Sequence, residues 1–246
     1  MTWIYLSPHF DDVALSCGGL VWEQTQTGEK VSIWTVCGGE PPPGDISDFA
    51  KTLHARWEAS QNAPAERKVE DINSCRCLRA SYRHFSFPDC IYRRNPLTGE
   101  FMYASEQALN GPLHPGDSQV IEDLVEEFYQ IPSGAMTLVC PLALGNHVDH
   151  QLTRLAAESL GIYCLYYADF PYVLQDKAWA GKLKTEGWES KVYPISNEGL
   201  AAWQDSICAH RSQISTFWPD EAEMRRVVSQ YLNENGGIRL WSRPVS

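Results

Sequence analysis

The chain has 246 residues and a formal net charge of -11, with 43% hydrophobic and 21% charged residues. That balance fits one globular domain over residues 1–246. It argues against a nucleic-acid backbone or an anionic membrane surface as partner. No run approaches the roughly 20 apolar residues of a membrane span, and Met1–Leu6 lacks the positive charge of a signal peptide. Eight scattered cysteines without a CxxC pair read as reduced thiols. The expectation is a cytoplasmic protein with no stable membrane insertion; homo-oligomerisation is left open.

The chain opens on an apolar run, Trp3–Leu6, followed by a helical pattern over Asp11–Thr27 and a second apolar run over Val31–Cys37. Strand, crossover helix and strand make a parallel βαβ unit, and continuous apolar strands suit a sheet covered on both faces. Gly38–Asp48 is a loop. A helical region follows, broken near Pro64, its second half running over Ala65–Arg79. Tyr82–Phe87 reads as a strand. Asp89–Pro115, rich in Gly and Pro, reads as a long loop of the kind used for lids and binding. Helix over Ser118–Tyr129, strand over Thr137–Leu142, helix over His147–Leu160 and strand over Tyr163–Ala168 continue the alternation. Further helical patterns cover Glu198–Ile214 and Glu221–Asn233. The sum predicts an α/β protein: a three-layer, Rossmann-like fold with a mostly parallel central sheet.

Ligands in such sheets bind beyond the carboxyl ends of the strands. Two clusters stand there, Ser7-Pro8-His9-Phe10-Asp11-Asp12 and Gly145-Asn146-His147-Val148-Asp149-His150. Each joins imidazole and carboxylate within four residues at a strand-to-helix turn. Zinc takes nitrogen and oxygen ligands, and catalytic sites use about three protein ligands plus water. His9 and Asp12, three apart at a helix start, can turn toward one point, and His150 can supply the third ligand. Asp11 is then free to take a proton from water. Asp149 is placed to accept a hydrogen bond from an imidazole and favour its charged form, and a cationic His147 would stabilise an oxyanion or protonate a leaving amine. An Asp pair at a helix start is commonly only a cap. Two such clusters at matching strand ends point instead to a metal centre.

These motifs resemble the PIG-L/LmbE-like de-N-acetylase superfamily. Its signatures, (A/S)-H-P-D-D-E and H-P-D-H, stand here as Pro8-His9-Phe10-Asp11-Asp12-Val13 and His147-Val148-Asp149-His150. Phe10 and Val148 replace the usual prolines, and Val13 the usual acid. Arg67-Lys68-Val69-Glu70 resembles the family's R-x-x-E helix, and Phe87-Pro88-Asp89 its segment before a variable loop. Tyr166–Tyr172 resembles an aromatic-acidic stretch, and His210-Arg211-Ser212-Gln213 a late H-x-S-Q. The resemblance covers about residues 3 to 214.

The resemblance implies hydrolysis of an acetamide on a glucosamine-type sugar, with a small-molecule N-acetylated sugar as partner. It implies one divalent metal, Zn2+ or another transition ion, held by His9, Asp12 and His150. Asp11 is implied as general base, His147 as the oxyanion's partner and Asp149 as its tuning residue. Arg67, Glu70 and Asp89 are candidate sugar contacts. Two rivals remain from chemistry alone. A metal phosphoesterase would need a second metal and more bridging carboxylates. A non-enzymatic, metal-stabilised binding module would close its coordination shell. A nucleotide-binding module is weak, since Cys17-Gly18-Gly19 and Gly38-Gly39 give no G-x-G-x-x-G.

Overall fold

The computed structural model describes residues 1–57, 63–130, 136–176 and 178–243. In chain order they form β1 (Thr2–Ser7), α1 (Asp12–Gln26), β2 (Lys30–Thr35), α2 (Asp48–Arg56), α3 (Ala63–Cys77), β3 (Ser81–His84), α4 (Glu106–Leu109), α5 (Ser118–Tyr129), β4 (Met136–Pro141), α6 (Val148–Ser159) and β5 (Cys164–Tyr167). There follow α7 (Trp179–Thr185), β6 (Glu189–Tyr193), α8 (Asn197–Cys208), α9 (Arg211–Phe217), α10 (Glu221–Asn235) and β7 (Ile238–Ser242). The strands make one sheet in the order β3-β2-β1-β4-β5-β7-β6. The first five run parallel, and β7 lies antiparallel to both β5 and β6.

This order explains where chemistry collects. From β1 the chain winds outward through β2 to β3, then returns to lay β4 on β1's other side. Right-handed crossovers in opposite directions place their helices on opposite faces. Accordingly α1, α3 and α8 pack together, and α5 pairs with α6. The carboxyl ends of β1 and β4, in register from Thr2↔Met136 to Tyr5↔Val139, therefore open a crevice at the reversal of strand order. The interior strands carry consecutive buried residues, Ile4-Tyr5-Leu6 on β1 and Leu138-Val139-Cys140 on β4, as a sheet covered on both faces requires.

Cys17-Gly18-Gly19 has a packing role. Trp203 of α8 lies against α1, donating from Nε1 to the carbonyls of Ala14 (2.8 Å) and Leu15 (3.1 Å). A Cβ on Gly18 would stand 2.6 Å from the Trp203 ring. The eight cysteines are all free, six of them buried. No helix among the described residues is long and apolar enough to cross a membrane.

Three segments differ from the sequence reading. The helical pattern over Glu198–Ile214 is two helices, α8 and α9, separated at His210, whose ψ of 61° leaves the helical range. The restart is fixed from outside: Glu70 of α3 accepts from the Ser212 amide (2.9 Å) and hydroxyl (2.7 Å). The break near Pro64 becomes the first turn of α3, where proline is tolerated; residues 58–62 of that region lie outside the described residues. The 89–115 loop is tied down by a short turn at Cys90–Tyr92 and by α4, with Ile91, Tyr92 and Tyr103 in a satellite core that also holds Val148.

Gly39, just past β2, crosses the chain entering the Phe87–Asp89 segment, and a Cβ there would stand 2.2 Å from the Ser86 carbonyl oxygen. We expect Gly39→Ala to lower unfolding stability by about 1–3 kcal/mol, the usual cost of overpacking against an unyielding neighbour. Gly181→Ala on exposed α7, where nothing lies within 4 Å of the new Cβ, should raise it slightly through helix propensity. Thermal or denaturant unfolding of the two variants checks the contrast.

Candidate metal centre and its cleft

The turn after β1 is locked by Ser7. Its hydroxyl donates to the His9 carbonyl (2.5 Å) and accepts from the Val13 amide (3.1 Å), so His9 and Asp12 project from the start of α1 together. The turn after β4 passes through left-handed backbone at Ala143 (φ 61°) and Asn146 (φ 63°), then delivers His147 as N-cap of α6, with Asp149 and His150 in its first turn. The residues at the two positions where the family has proline are core residues here, as is Val13 in place of the usual acid. Phe10 is 3% exposed, its ring edge-to-face with His84 at 5.3 Å, and Val148 is fully buried.

One carboxylate joins the clusters. Asp12 Oδ2 lies 3.1 Å from His9 Nδ1 and also accepts from the His9 amide (2.7 Å), while Oδ1 lies 3.2 Å from His150 Nε2. Each imidazole has its far nitrogen on another buried carboxylate. His9 Nε2 stands 3.0 Å from Asp149 Oδ2, and His150 Nδ1 stands 2.6 Å from Asp169 Oδ1. Those outer bonds assign protons to His9 Nε2 and His150 Nδ1, leaving Nδ1 of His9 and Nε2 of His150 turned toward Asp12. The carboxylate–imidazole–metal arrangement has this form. His150 Nε2 is buried and has no partner of hydrogen-bond geometry.

Electrostatics agree. Burial alone would push both imidazoles toward neutrality. For His9 the carboxylates of Asp89, Asp12 and Asp149 outweigh it and raise the pKa well above the usual value. For His150 the carboxylates of Asp12 and Asp169 outweigh it and raise the pKa to about 10. Burial would raise Asp12 and Asp149, but His150 and His9 hold the first, and Arg93 and His9 the second, well below the carboxylate range. Asp11, Asp12, Asp89, Asp117, Asp149 and Asp169 are all buried, against the guanidiniums of Arg67 and Arg93. Even with His9 and His150 as imidazoliums, the six carboxylates outnumber the buried positive groups, an imbalance that a cation would offset. Donor types, converging orientation and charge thus fit a divalent metal among His9, Asp12 and His150. Ring nitrogens of His9, His147 and His150 also lie within 4.8 Å of one another.

Asp149 comes within the same reach of Cys37 and Cys90, but the Arg93 charge 2.5 Å from its Oδ1 disfavours a second cation there.

The remaining expected residues divide. Asp11 lines the cleft, with Arg67 Nη2 at 3.2 Å from its Oδ1. Asp89 caps the Cys90–Tyr92 turn through the Ile91 amide (3.2 Å) and lies 3.8 Å from His9 Nε2 and 3.9 Å from Arg67 Nη1. Arg67 and Asp89 thus join the cleft; Glu70 is brought to α9 instead. His147 Nδ1 accepts the Asp149 amide (3.2 Å), so its proton sits on Nε2 and the ring is a neutral donor. Burial, then the neighbouring His9 and His150, push its pKa well down. The Asp149 carboxylate is bonded to His9, and its charge raises His147 only against the larger opposing effects, so the ring expected to be cationic is held toward its neutral form. Tyr166 and Tyr167 are core, and Tyr172 lines the cleft.

The sequence reading did not select two residues. Asp169 was visible as a lone acid directly after the apolar run of β5. Arg93, in the Gly- and Pro-rich 89–115 stretch, is 4% exposed. Around the cluster lies a cleft of about 270 Å³, walled by Phe49, Leu53, Trp57, Tyr172 and Phe217, with Gln213 and Thr216 from α9.

Fold and site together define a Rossmann-like protein with a His/Asp centre at its topological switch. The chain belongs to the GlcNAc-PI de-N-acetylase (PIG-L) family, whose profile matches residues 4–160. A Niallia circulans protein named 2'-N-acetylparomamine deacetylase is 30% identical over 258 residues, covering 96% of this chain and 86% of the relative. A Streptomyces fradiae protein of the same name is 31% identical over 182 residues, or 71% of this chain and 59% of that protein. Among solved structures, the zinc-inhibited form of teicoplanin deacetylase superimposes with a TM-score of 0.80 at 23% identity, over 98% of this chain and 97% of that one. The A40926 pseudoaglycone deacetylase gives 0.74 at 26%, over 99% and 98%.

Asp169→Asn should leave the fold intact but loosen His150, weakening zinc affinity by about tenfold to a hundredfold. Chelator competition on the purified chain reads this directly, and an unchanged affinity would remove Asp169 from the site.

Proposed function

We propose that the protein is a metal-dependent N-deacetylase acting on an N-acetylated amino sugar, of the kind named in its aminoglycoside relatives. The observation that carries the reading is the pair of imidazoles, His9 and His150, each clamped on its far side by a buried carboxylate and turned toward Asp12, which with His9 lines an open cleft. A divalent ion held by these three side chains would polarise the acetyl carbonyl and acidify water. Zinc is the first choice, although an N/O donor set discriminates poorly among transition metals by affinity.

The chain's own residues do the rest. The apolar walls, Trp57, Tyr172 and Phe217, receive the sugar's faces and shed water from the reacting amide. Asp11, oriented by Arg67, takes a proton from the water that attacks the carbonyl carbon. His147, a neutral imidazole with its proton on Nε2, donates to the oxygen as it gains negative charge. A neutral imidazole can do this without losing its own proton. As the C–N bond breaks, Asp11 returns the proton to the departing nitrogen, giving acetate and a free amine. Arg67 and Asp89 are placed to meet sugar hydroxyls beside the acetamide.

Amine release from N-acetylglucosamine conjugates and 2'-N-acetylparomamine, before and after chelation and re-addition of zinc, tests the reading. Amine is expected only with metal present. Release of phosphate from phosphosugars under the same conditions, with no amine from any acetamide, would favour a phosphoesterase. A bound metal with neither product would favour a binding module. Asp11→Asn should lower kcat by about 10²–10⁴-fold while the metal content stays at the unmutated level; full activity in the metal-loaded variant would refute the role of Asp11.

A further inference from the structure

Among the described residues, the proposed chemistry leaves one buried guanidinium without a role. Arg93 sits in the 89–115 segment, which its composition marks as a loop, yet its side chain turns inward. Nη1 donates to Asp149 Oδ1 at 2.5 Å and Nη2 to Asp117 Oδ2 at 3.1 Å. Asp117 in turn accepts from the Tyr103 hydroxyl (2.5 Å), and that hydroxyl accepts from the His114 amide (2.7 Å). The other Asp149 oxygen receives the Cys90 amide at 3.0 Å and His9 Nε2 at 3.0 Å. A continuous chain thus runs from the half-buried His114 through the buried Tyr103, Asp117, Arg93 and Asp149 to His9.

The geometry of this chain is restrictive. Asp149 is fully buried, and three donors, from Arg93, Cys90 and His9, fix the plane of its carboxylate. His9 can present Nδ1 beside Asp12 only while its Nε2 has an acceptor in that place. An arginine spans two carboxylates because its fork offers donors in two directions at once; a lysine offers one point charge. We propose that Arg93 is a positioning residue for the metal centre: by clamping Asp149 against Asp117 it fixes the His9 ring, so the 89–115 segment sets metal affinity.

This rests on the reading of His9, Asp12 and His150 as metal ligands, and the test separates the two. Zinc affinity is measured by chelator competition on the stripped, full-length chain, together with the zinc concentration giving half-maximal amine release. Arg93→Met should weaken zinc binding by about tenfold to a hundredfold. It should shift the half-maximal zinc concentration by the same factor while KM for the acetamide at saturating zinc is unchanged. Arg93→Lys should recover part of the affinity. Where Arg93→Met does not fold, Tyr103→Phe removes only the hydroxyl at the far end of the chain and should weaken zinc binding in the same direction. Unmutated affinity in both Arg93→Lys and Tyr103→Phe, even with lowered thermal stability, would overturn the proposal, since a purely structural role moves stability alone. Failure of the unmutated chain to bind any divalent ion would instead overturn the metal-centre reading, and this proposal with it.

Discussion

Everything at the cleft depends on burying carboxylates where a sheet reverses its strand order. Removing one ionised carboxylate from water costs several kcal/mol even after relaxation, and this protein places six together with two guanidiniums. The arrangement is tolerable because each acid has an assigned partner. Asp149 has Arg93, His9 and a backbone amide; Asp169 has His150 and the Leu144 amide; Asp12 has both imidazoles. The one direction in which partners run short is toward Asp12, between His9 Nδ1 and His150 Nε2. A cation placed there would complete the cluster, and the same deficit makes the site chemically useful.

The scaffold bears this cost in a particular way. β1 and β4 are buried on both faces and fixed in register, so the turns that follow them begin from rigid points. Neither turn could hold the cluster alone, because the outer carboxylates come from elsewhere. Asp169 follows β5, the next strand along. Asp149 is on α6 but is held by Arg93 from the segment after β3. The atoms turned toward Asp12 are thus local to two turns, while their orientation is set by residues 19 to 140 positions distant in sequence. Side chains on rigid elements, locked by a second layer of hydrogen bonds, are what a preorganised site requires.

That division also explains what could be read from the sequence. Hydrophobic periodicity revealed the strands, the helices and the switch point, because burial on both faces leaves a strong pattern. His9, Asp11, Asp12, His147 and His150 were visible because they are clustered in sequence and lie at strand ends. The outer partners are not clustered. Arg93 stands in the Gly- and Pro-rich 89–115 stretch, which has no periodicity to show which way its side chain turns, and only the fold brings it to Asp149. Glu70 was a candidate sugar contact through the resemblance to the R-x-x-E helix, but the two side chains part: Arg67 turns to Asp11 and Glu70 to the amide end of α9. The same contact splits the Glu198–Ile214 pattern into two helices, an effect of tertiary capping that local periodicity cannot register.

The neutral form of His147 follows from these neighbours, and it bears on how the proposed chemistry would run. With Asp149 as its charged partner, the ring would be an imidazolium beside a divalent ion, an arrangement that repels cations at the moment the cleft must hold one. The Asp149 carboxylate goes instead to His9 and Arg93, and only its backbone amide reaches His147. Under the proposed function, a neutral donor at this position would let a bound cation carry the long-range electrostatics while the imidazole contributes direction. In the proposed mechanism its proton would then not be given up and recovered in each turnover, and a single carboxylate, Asp11, would carry the proton from water to the departing amine.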